Sequence, residues 1–164
     1  MPGTVVDASP LNYLICIDAV EVLPRLYKGL CIPNAVEAEL SHPKAPPQVR
    51  QWVQQPKSWL KVLPTKDISD PAYAKLGSGE RAAIALALEI RSDLLIMDDR
   101  DAVIMARQFG LSTAGTLAVL DLGSEKELID LGDAFHKLRQ TSFRSPLRLM
   151  AEMLEQDARR KRPR

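Results

Sequence analysis

Leu94-Leu95-Ile96-Met97-Asp98-Asp99 is the stretch whose reading decides the fold. Four apolar residues run without a polar interruption and stop at a doubled acid. An uninterrupted run of this length suits a strand covered on both faces, as in the interior of a parallel sheet. Upstream, Ser78 opens a helix from about Gly79 to Arg91. Its middle, Ala82 to Leu88, is apolar on every side, which predicts a helix buried nearly all round. Downstream come a helix from about Ala102 to Gln108 closed by Gly110, a short strand Leu111–Thr113 and a helix Thr116–Leu122. Toward the N-terminus, the β-branched entry Thr4–Val6 reads as a strand ending at Asp7. Ser9-Pro10 reads as an N-cap with proline at the first helical position. Leu11, Leu14, Ile15 and the segment Asp18–Val22 continue the helical pattern, and Pro24–Gly29 is a second helical piece or turn. A strand at Leu30–Ile32, a helix from Pro33 to about Leu40, a short helix Val49–Gln54 and a strand Trp59–Leu63 follow. Residues 64–77 form a polar loop. Helices at Glu125–Leu131 and Leu147–Arg160 complete the chain. This alternation predicts an α/β protein, a three-layer α/β/α arrangement around a short central parallel sheet. Residues 1–145 read as the α/β domain, and 146–164 as a C-terminal helix with a basic tail.

The chain's 164 residues, 46% of them apolar and 26% charged, are enough for one domain with its own core and argue against disorder. The longest apolar run, Ala82–Leu88, is too short to span a bilayer. The N-terminus lacks the pattern of a secretory signal. Two cysteines, Cys16 and Cys31, make neither a disulfide framework nor a zinc knuckle, so a cytoplasmic setting is expected. With only 5% aromatic residues, a stacking platform for single strands is not expected. Arg159, Arg160, Lys161, Arg162 and Arg164 gather five of the 22 basic residues, leaving 17 against 21 acidic in residues 1–158. Such a tail reads either as a contact for nucleic acid or an acidic partner, or as a solvated end.

The chemistry lies in where the carboxylates fall. Asp7 ends the first strand, Glu39 follows the second strand on a helix, Glu80 sits in the first turn of the buried helix, and Asp98-Asp99 end the most apolar strand. In open α/β sheets ligands bind outside the carboxyl ends of the strands, so one crevice can collect these groups. Clustered carboxylates cannot all ionise without a cation, and hard oxygen ligands suit Mg²⁺ or Mn²⁺. Each acid also has a plain structural role open to it. Asp7 can cap a helix, Glu39 like Glu37 can be a solvated helix residue, Glu80 complements a helix dipole, and Asp98 or Asp99 can cap the next helix. One cap needs only one acid, which leaves the Asp98-Asp99 pair in excess.

Three other motifs point elsewhere and lack their context. Gly77-Ser78-Gly79-Glu80-Arg81-Ala82 fits the G-x-G-x-x-A dinucleotide fingerprint, but the polar segment Asp67–Lys75 stands where a strand is required. Asp99-x-Asp101-x-Val103 resembles a haloacid-dehalogenase-type loop, but no acid pair lies downstream of it. His42 and His136 have no nucleophile elbow near them, which leaves nucleophilic hydrolysis without support.

Taken in order, five segments resemble a PIN domain. They are Val5-Val6-Asp7-Ala8-Ser9-Pro10, Ile32-Pro33-x-x-Val36-x-x-Glu39-Leu40, Leu76-Gly77-x-Gly79-Glu80-x-Ala82-Ala83, Leu95-Ile96-Met97-Asp98-Asp99 and Gly115-Thr116-Leu117. The resemblance is to the small prokaryotic branch related to VapC-type toxin ribonucleases, and it runs from about Val5 to Leu122. It implies a Mg²⁺- or Mn²⁺-dependent endoribonuclease, the toxin of a toxin–antitoxin pair, with a small cognate antitoxin as partner and a homodimeric assembly. Carried over, the metal-holding and catalytic acids are Asp7, Glu39, Glu80 and Asp98, with Asp99 an alternative ligand to Asp98 and Ser9 in support. Glu80 stands where many PIN domains have aspartate. The Thr-x-Asp pattern common at the last of these strands is replaced by Asp98-Asp99, which leaves the fourth ligand open. Arg81, Arg100, Lys137, Arg139 and Arg144 are candidates to meet RNA phosphates. The alternative is a catalytically silent PIN-like module that binds nucleic acid or protein.

Overall fold

The computed structural model describes residues 3–66 and 70–163. Five strands form one sheet: β1 (Thr4–Val6), β2 (Leu30–Pro33), β3 (Leu60–Leu63), β4 (Leu94–Ile96) and β5 (Thr113–Ala114). The order is β3-β2-β1-β4-β5, and every pairing is parallel. The chain therefore winds outward from β1 through β2 to β3, then crosses back to β4 on the other side. The direction of winding reverses between β1 and β4, where Val6 lies opposite Ile96. That reversal opens a crevice at the carboxyl ends of these two strands.

Nine helices among the described residues connect and cover the strands: α1 (Ala8–Cys16), α2 (Val22–Leu26), α3 (Asn34–Leu40), α4 (Pro47–Gln54), α5 (Ser78–Glu89), α6 (Arg100–Gln108), α7 (Thr116–Glu125), α8 (Leu131–Arg139) and α9 (Leu147–Arg160). Strand residues alternate between the two faces. Val6, Ile32 and Ile96 point into a core shared with α1, α7 and α8, while Val5, Cys31, Leu95 and Met97 point into a second core with α5 and α6. The three layers expected from the alternation are thus present. The helix predicted to be buried is α5: Ala82, Ala83, Ile84, Leu86 and Ala87 are enclosed, but Ala85 is half-buried and Leu88 exposed, so one side of the apolar middle meets solvent.

Several boundaries differ from the expectation, each for a local reason. α1 starts at Ala8 with Asp7 at its N-cap, so Ser9 lies inside the first turn and Pro10 is the third helical residue. The helical pattern does not run on through Asp18–Val22. Asp18 takes a positive φ of 59° after α1 ends, and α2 begins at Val22 and stops before Gly29. α6 begins at Arg100, two residues earlier than expected, because Asp99 accepts a hydrogen bond from the Ala102 N–H at 3.0 Å. β5 falls at Thr113–Ala114 instead of Leu111–Thr113.

The helix expected at Glu125–Leu131 is a turn with Glu127 at φ 61°. α7 runs on to Glu125, and the next helix is α8, capped by the Asp130 side chain on the Asp133 N–H at 2.8 Å. Leu131, Ala134, Phe135 and Leu138 make its buried stripe. Of the polar loop 64–77, residues 67–69 lie outside the described residues, as does Arg164 of the basic tail; Pro71–Tyr73 is a 3-10 turn. No helix among the described residues is long and apolar enough to cross a membrane.

Candidate active site

β1 and β4 end side by side, and the Asp7 N–H donates to the Ile96 carbonyl at 2.9 Å. This bond fixes the backbone of Asp7 at the mouth of the crevice. Asp7 is only 3% exposed, and among the described residues its Oδ1 has no hydrogen-bond partner. A buried, unpartnered carboxylate oxygen is costly, so its presence calls for an explanation. Burial pushes the Asp7 carboxyl up to about 7; the Ala8 N–H opposes this, and the charges of Glu80, Glu39 and Asp98 add to it. Three other segments have therefore brought Glu39, Glu80 and Asp98 within electrostatic reach of Asp7.

Each of the other acids is positioned by a bond of its own. Glu39 Oε1 accepts the Gly79 N–H at 3.1 Å, tying α3 to the first turn of α5. A Cβ on Gly79 would come within 2.8 Å of the Glu39 carboxyl carbon, so only glycine admits this contact. Glu80 Oε2 accepts the Gly77 N–H at 3.1 Å and closes the first turn of α5. Burial raises the Glu80 carboxyl, the Gly77 N–H lowers it, and Asp99, Glu39 and Asp101 raise it further. Asp98 accepts from Thr116 twice, through the backbone N–H at 2.7 Å and the hydroxyl at 2.6 Å. Its pKa is raised by burial against both of those bonds. Gly115 allows the approach, since a Cβ there would stand 2.9 Å from Asp98 Oδ1.

The members of the Asp98-Asp99 pair have separated. Asp98 faces Asp7 and Thr116, whereas Asp99 caps α6 and lies toward Glu80. Glu37 lies off the crevice and lines a hollow with Trp52 and Lys57. Ser9 is exposed and shares a small cavity with Asn12 and Glu39.

Among the described residues, no three acidic, histidine or cysteine side chains stand close enough to hold one ion as they are. The donor chemistry still fits a hard cation. Asp7 offers an unused oxygen, and the charges of Glu80, Glu39 and Asp98 raise its proton affinity, which a cation would relieve. The residues that sequence reasoning left without a role are Gly79, Gly115 and Thr116. All three fall inside the quoted motifs, but their partners are far along the chain, Glu39 and Asp98 respectively.

The candidate cations are dispersed. Arg81 and Arg100 follow Glu80 and Asp99 directly in sequence. Lys137 is paired with Asp133 at 3.1 Å, and α8, which carries Lys137 and Arg139, packs on α7 and α9. A hollow of about 960 Å³ lies at the opposite edge of the sheet beside Gly3 and Leu30. It lacks the convergent acids, and chemistry rather than volume locates the site.

A family model described as "DUF3368: PIN domain" matches residues 3–159. The chain belongs to the PIN-domain family. A PIN domain is a nuclease-type domain, and the all-parallel sheet with acids at its carboxyl edge agrees with that membership. No curated protein matches the sequence. Among solved structures, a PilT N-terminus domain protein from the hyperthermophilic archaeon Sulfolobus solfataricus P2 is similar at 17% identity. The match covers 71% of this chain and 88% of that one, with a TM-score of 0.49.

Proposed function

We propose that this PIN domain is a divalent-metal-dependent endoribonuclease whose centre is the β1/β4 crevice. The observation that carries the reading is the buried Asp7 oxygen without a partner, facing three further acids from separate segments. Asp7, Glu39, Glu80 and Asp98 would hold Mg²⁺ or Mn²⁺; Asp99 is assigned to capping α6, and Ser9 to support at the rim. When bound, the metal supplies charge for the phosphate and a lower pKa for the attacking water. Asp7 must then be ionised, and Thr116 keeps the Asp98 carboxylate oriented. Glu39, held by the Gly79 N–H, keeps α3 and α5 at a fixed separation across the crevice.

The resemblance to VapC-type toxins supports a toxin role, with a small antitoxin as partner and a homodimer as assembly. On α9, Met150 is buried against the body, while Leu147 and Leu149 are 61% and 48% exposed and are the residues we assign to such a contact.

The second reading is a silent PIN module, favoured by the absence of a ready-made ligand group among the described residues and by Asp98 being engaged twice by Thr116. Incubation of the purified chain with a mixed-sequence single-stranded RNA separates the two. Cleavage with Mn²⁺ or Mg²⁺ and none in EDTA is the expected result; cleavage that persists in EDTA, or none under any metal, removes the nuclease reading.

A further inference from the structure

Beside the acid crevice, on the carboxyl side of β2 and β3, lies a separate cavity of about 240 Å³. Its polar lining comes from three segments: Asn34 at the start of α3, Thr65 and Lys66 after β3, and Ser78 and Arg81 at the start of α5. The chemistry of the lining is the reverse of the crevice next to it. Two cations, two hydroxyl residues and an amide line the space, and among the described residues no carboxylate does. Arg81 directly follows Glu80, and consecutive helix residues are turned about 100° from each other. The turn carries Glu80 toward the other acids and Arg81 into this cavity.

We propose that this cavity holds a backbone phosphate of a single-stranded nucleic acid, one flanking the phosphate that is cleaved. Arg81 and Lys66 supply charge and the Ser78 and Thr65 hydroxyls supply donors, a set that matches a phosphodiester or phosphate and whose two positive charges repel a cation. The subsite rests on the nuclease reading for its purpose. It answers a problem which that reading raises, since a polyanion must approach a crevice walled by acids. A cationic foothold at the crevice rim fixes the strand in register while the repulsive centre faces one phosphate only.

The test is binding of a fluorescein-labelled short oligoribonucleotide to the full chain in EDTA, followed by anisotropy across a salt series. For the double variant R81A/K66A, affinity should fall about tenfold, and the slope of log K against log salt should become shallower by about 0.7, the value for one phosphate contact on a single strand. The pair Arg148→Ala and Lys126→Ala removes the same charge elsewhere and should leave the slope unchanged. An equal effect of both pairs overturns the proposal, as does absence of binding by the unaltered chain. In a parallel arm, the Ser78 and Thr65 amide signals should shift with the oligoribonucleotide. A shift with inorganic phosphate alone assigns the cavity to a small anion and also overturns it. The two readings fail separately. Binding that depends on Arg81 without metal-dependent cleavage removes the nuclease reading and leaves the subsite, whereas normal cleavage with an unchanged salt slope in R81A/K66A removes the subsite alone.

Discussion

Two aspartates are nearly closed to solvent, Asp7 at 3% and Asp157 at 7% exposure; Asp7 lies deep in the fold and Asp157 just under the surface beneath Arg160 and Lys161, and the fold treats them in opposite ways. Asp157, on α9, is enclosed by donors. The Ser124 hydroxyl donates to it at 2.8 Å, Arg160 at 2.7 Å and Lys161 at 3.0 Å. Although burial pulls its pKa upward, these hydrogen bonds win and hold the carboxyl below its ordinary value. Asp7 has an unpartnered oxygen and three acidic neighbours, and its carboxyl rises to about 7. Burial alone does not mark a site. The mark is burial that the protein has left uncompensated. Two cations of the basic tail, Arg160 and Lys161, pair with Asp157 of the same helix and reach α7 through Asp121, 2.9 Å from Arg160, and Ser124, 2.6 Å from Lys161.

The largest effect expected from this contrast is on the uncompensated side. Asp7→Asn combined with Glu80→Gln should reduce metal-dependent RNA cleavage on the order of 10⁴-fold, as for groups that act as a unit. Single-turnover cleavage checks it, and retention of activity would break the comparison at its functional end.

On the compensated side, Asp157→Ala should leave cleavage intact and cost about 2 kcal/mol of stability. That is below the range for a fully buried pair, because Arg160 and Lys161 remain 34% and 42% exposed. The sign of the pH dependence follows from a depressed pKa. The stability from Asp157 is present above its ordinary value of 3.8 and is lost as pH falls through the lower folded-state value. Urea melts of Asp157→Asn and the unaltered chain should therefore differ at neutral pH and converge in acid.

A smaller effect is expected where the two kinds of site share a device, a hydroxyl donating to a carboxylate. Thr116→Val removes the 2.6 Å bond to Asp98 and should weaken metal affinity about tenfold while the fold persists. Glu37→Gln gives the smallest change. Glu37 faces Trp52 and Lys57 and not the crevice, so cleavage rates should match those of the unaltered chain.

Much of this was legible before the structure, because strand ends are where both an apolar run and its chemistry stop. Val6-Asp7 and Met97-Asp98 announce themselves in that way, and the sheet order then places them on neighbouring strands. Positions set by tertiary contact were not legible. Gly79 and Gly115 look like helix-start residues, yet each is glycine because a carboxylate from a distant segment packs against it. The Ser124–Asp157 bond spans 33 residues and has no local signature. α8 is a different kind of miss. Asp130 followed by Asp133 and the Leu131–Leu138 stripe are local signals, while the expected helix Glu125–Leu131 falls on the turn at Glu127.

The central claim is that Asp7 is left uncompensated because a divalent cation completes it, and thermal melts of the chain and of Asp7→Asn at pH 8, with and without Mn²⁺, test it most directly. A raised carboxyl pKa costs stability as pH climbs from 3.8 through about 7. The full cost is about 4 kcal/mol, partly offset in the variant by the burial of the new amide. Without metal, Asp7→Asn should therefore melt higher at pH 8, with the gap closing below about pH 4. Saturating Mn²⁺ should raise the unaltered chain by about 5 °C or more and leave Asp7→Asn nearly unmoved, reversing their order. Equal shifts in both proteins, or no shift in either, would contradict the claim.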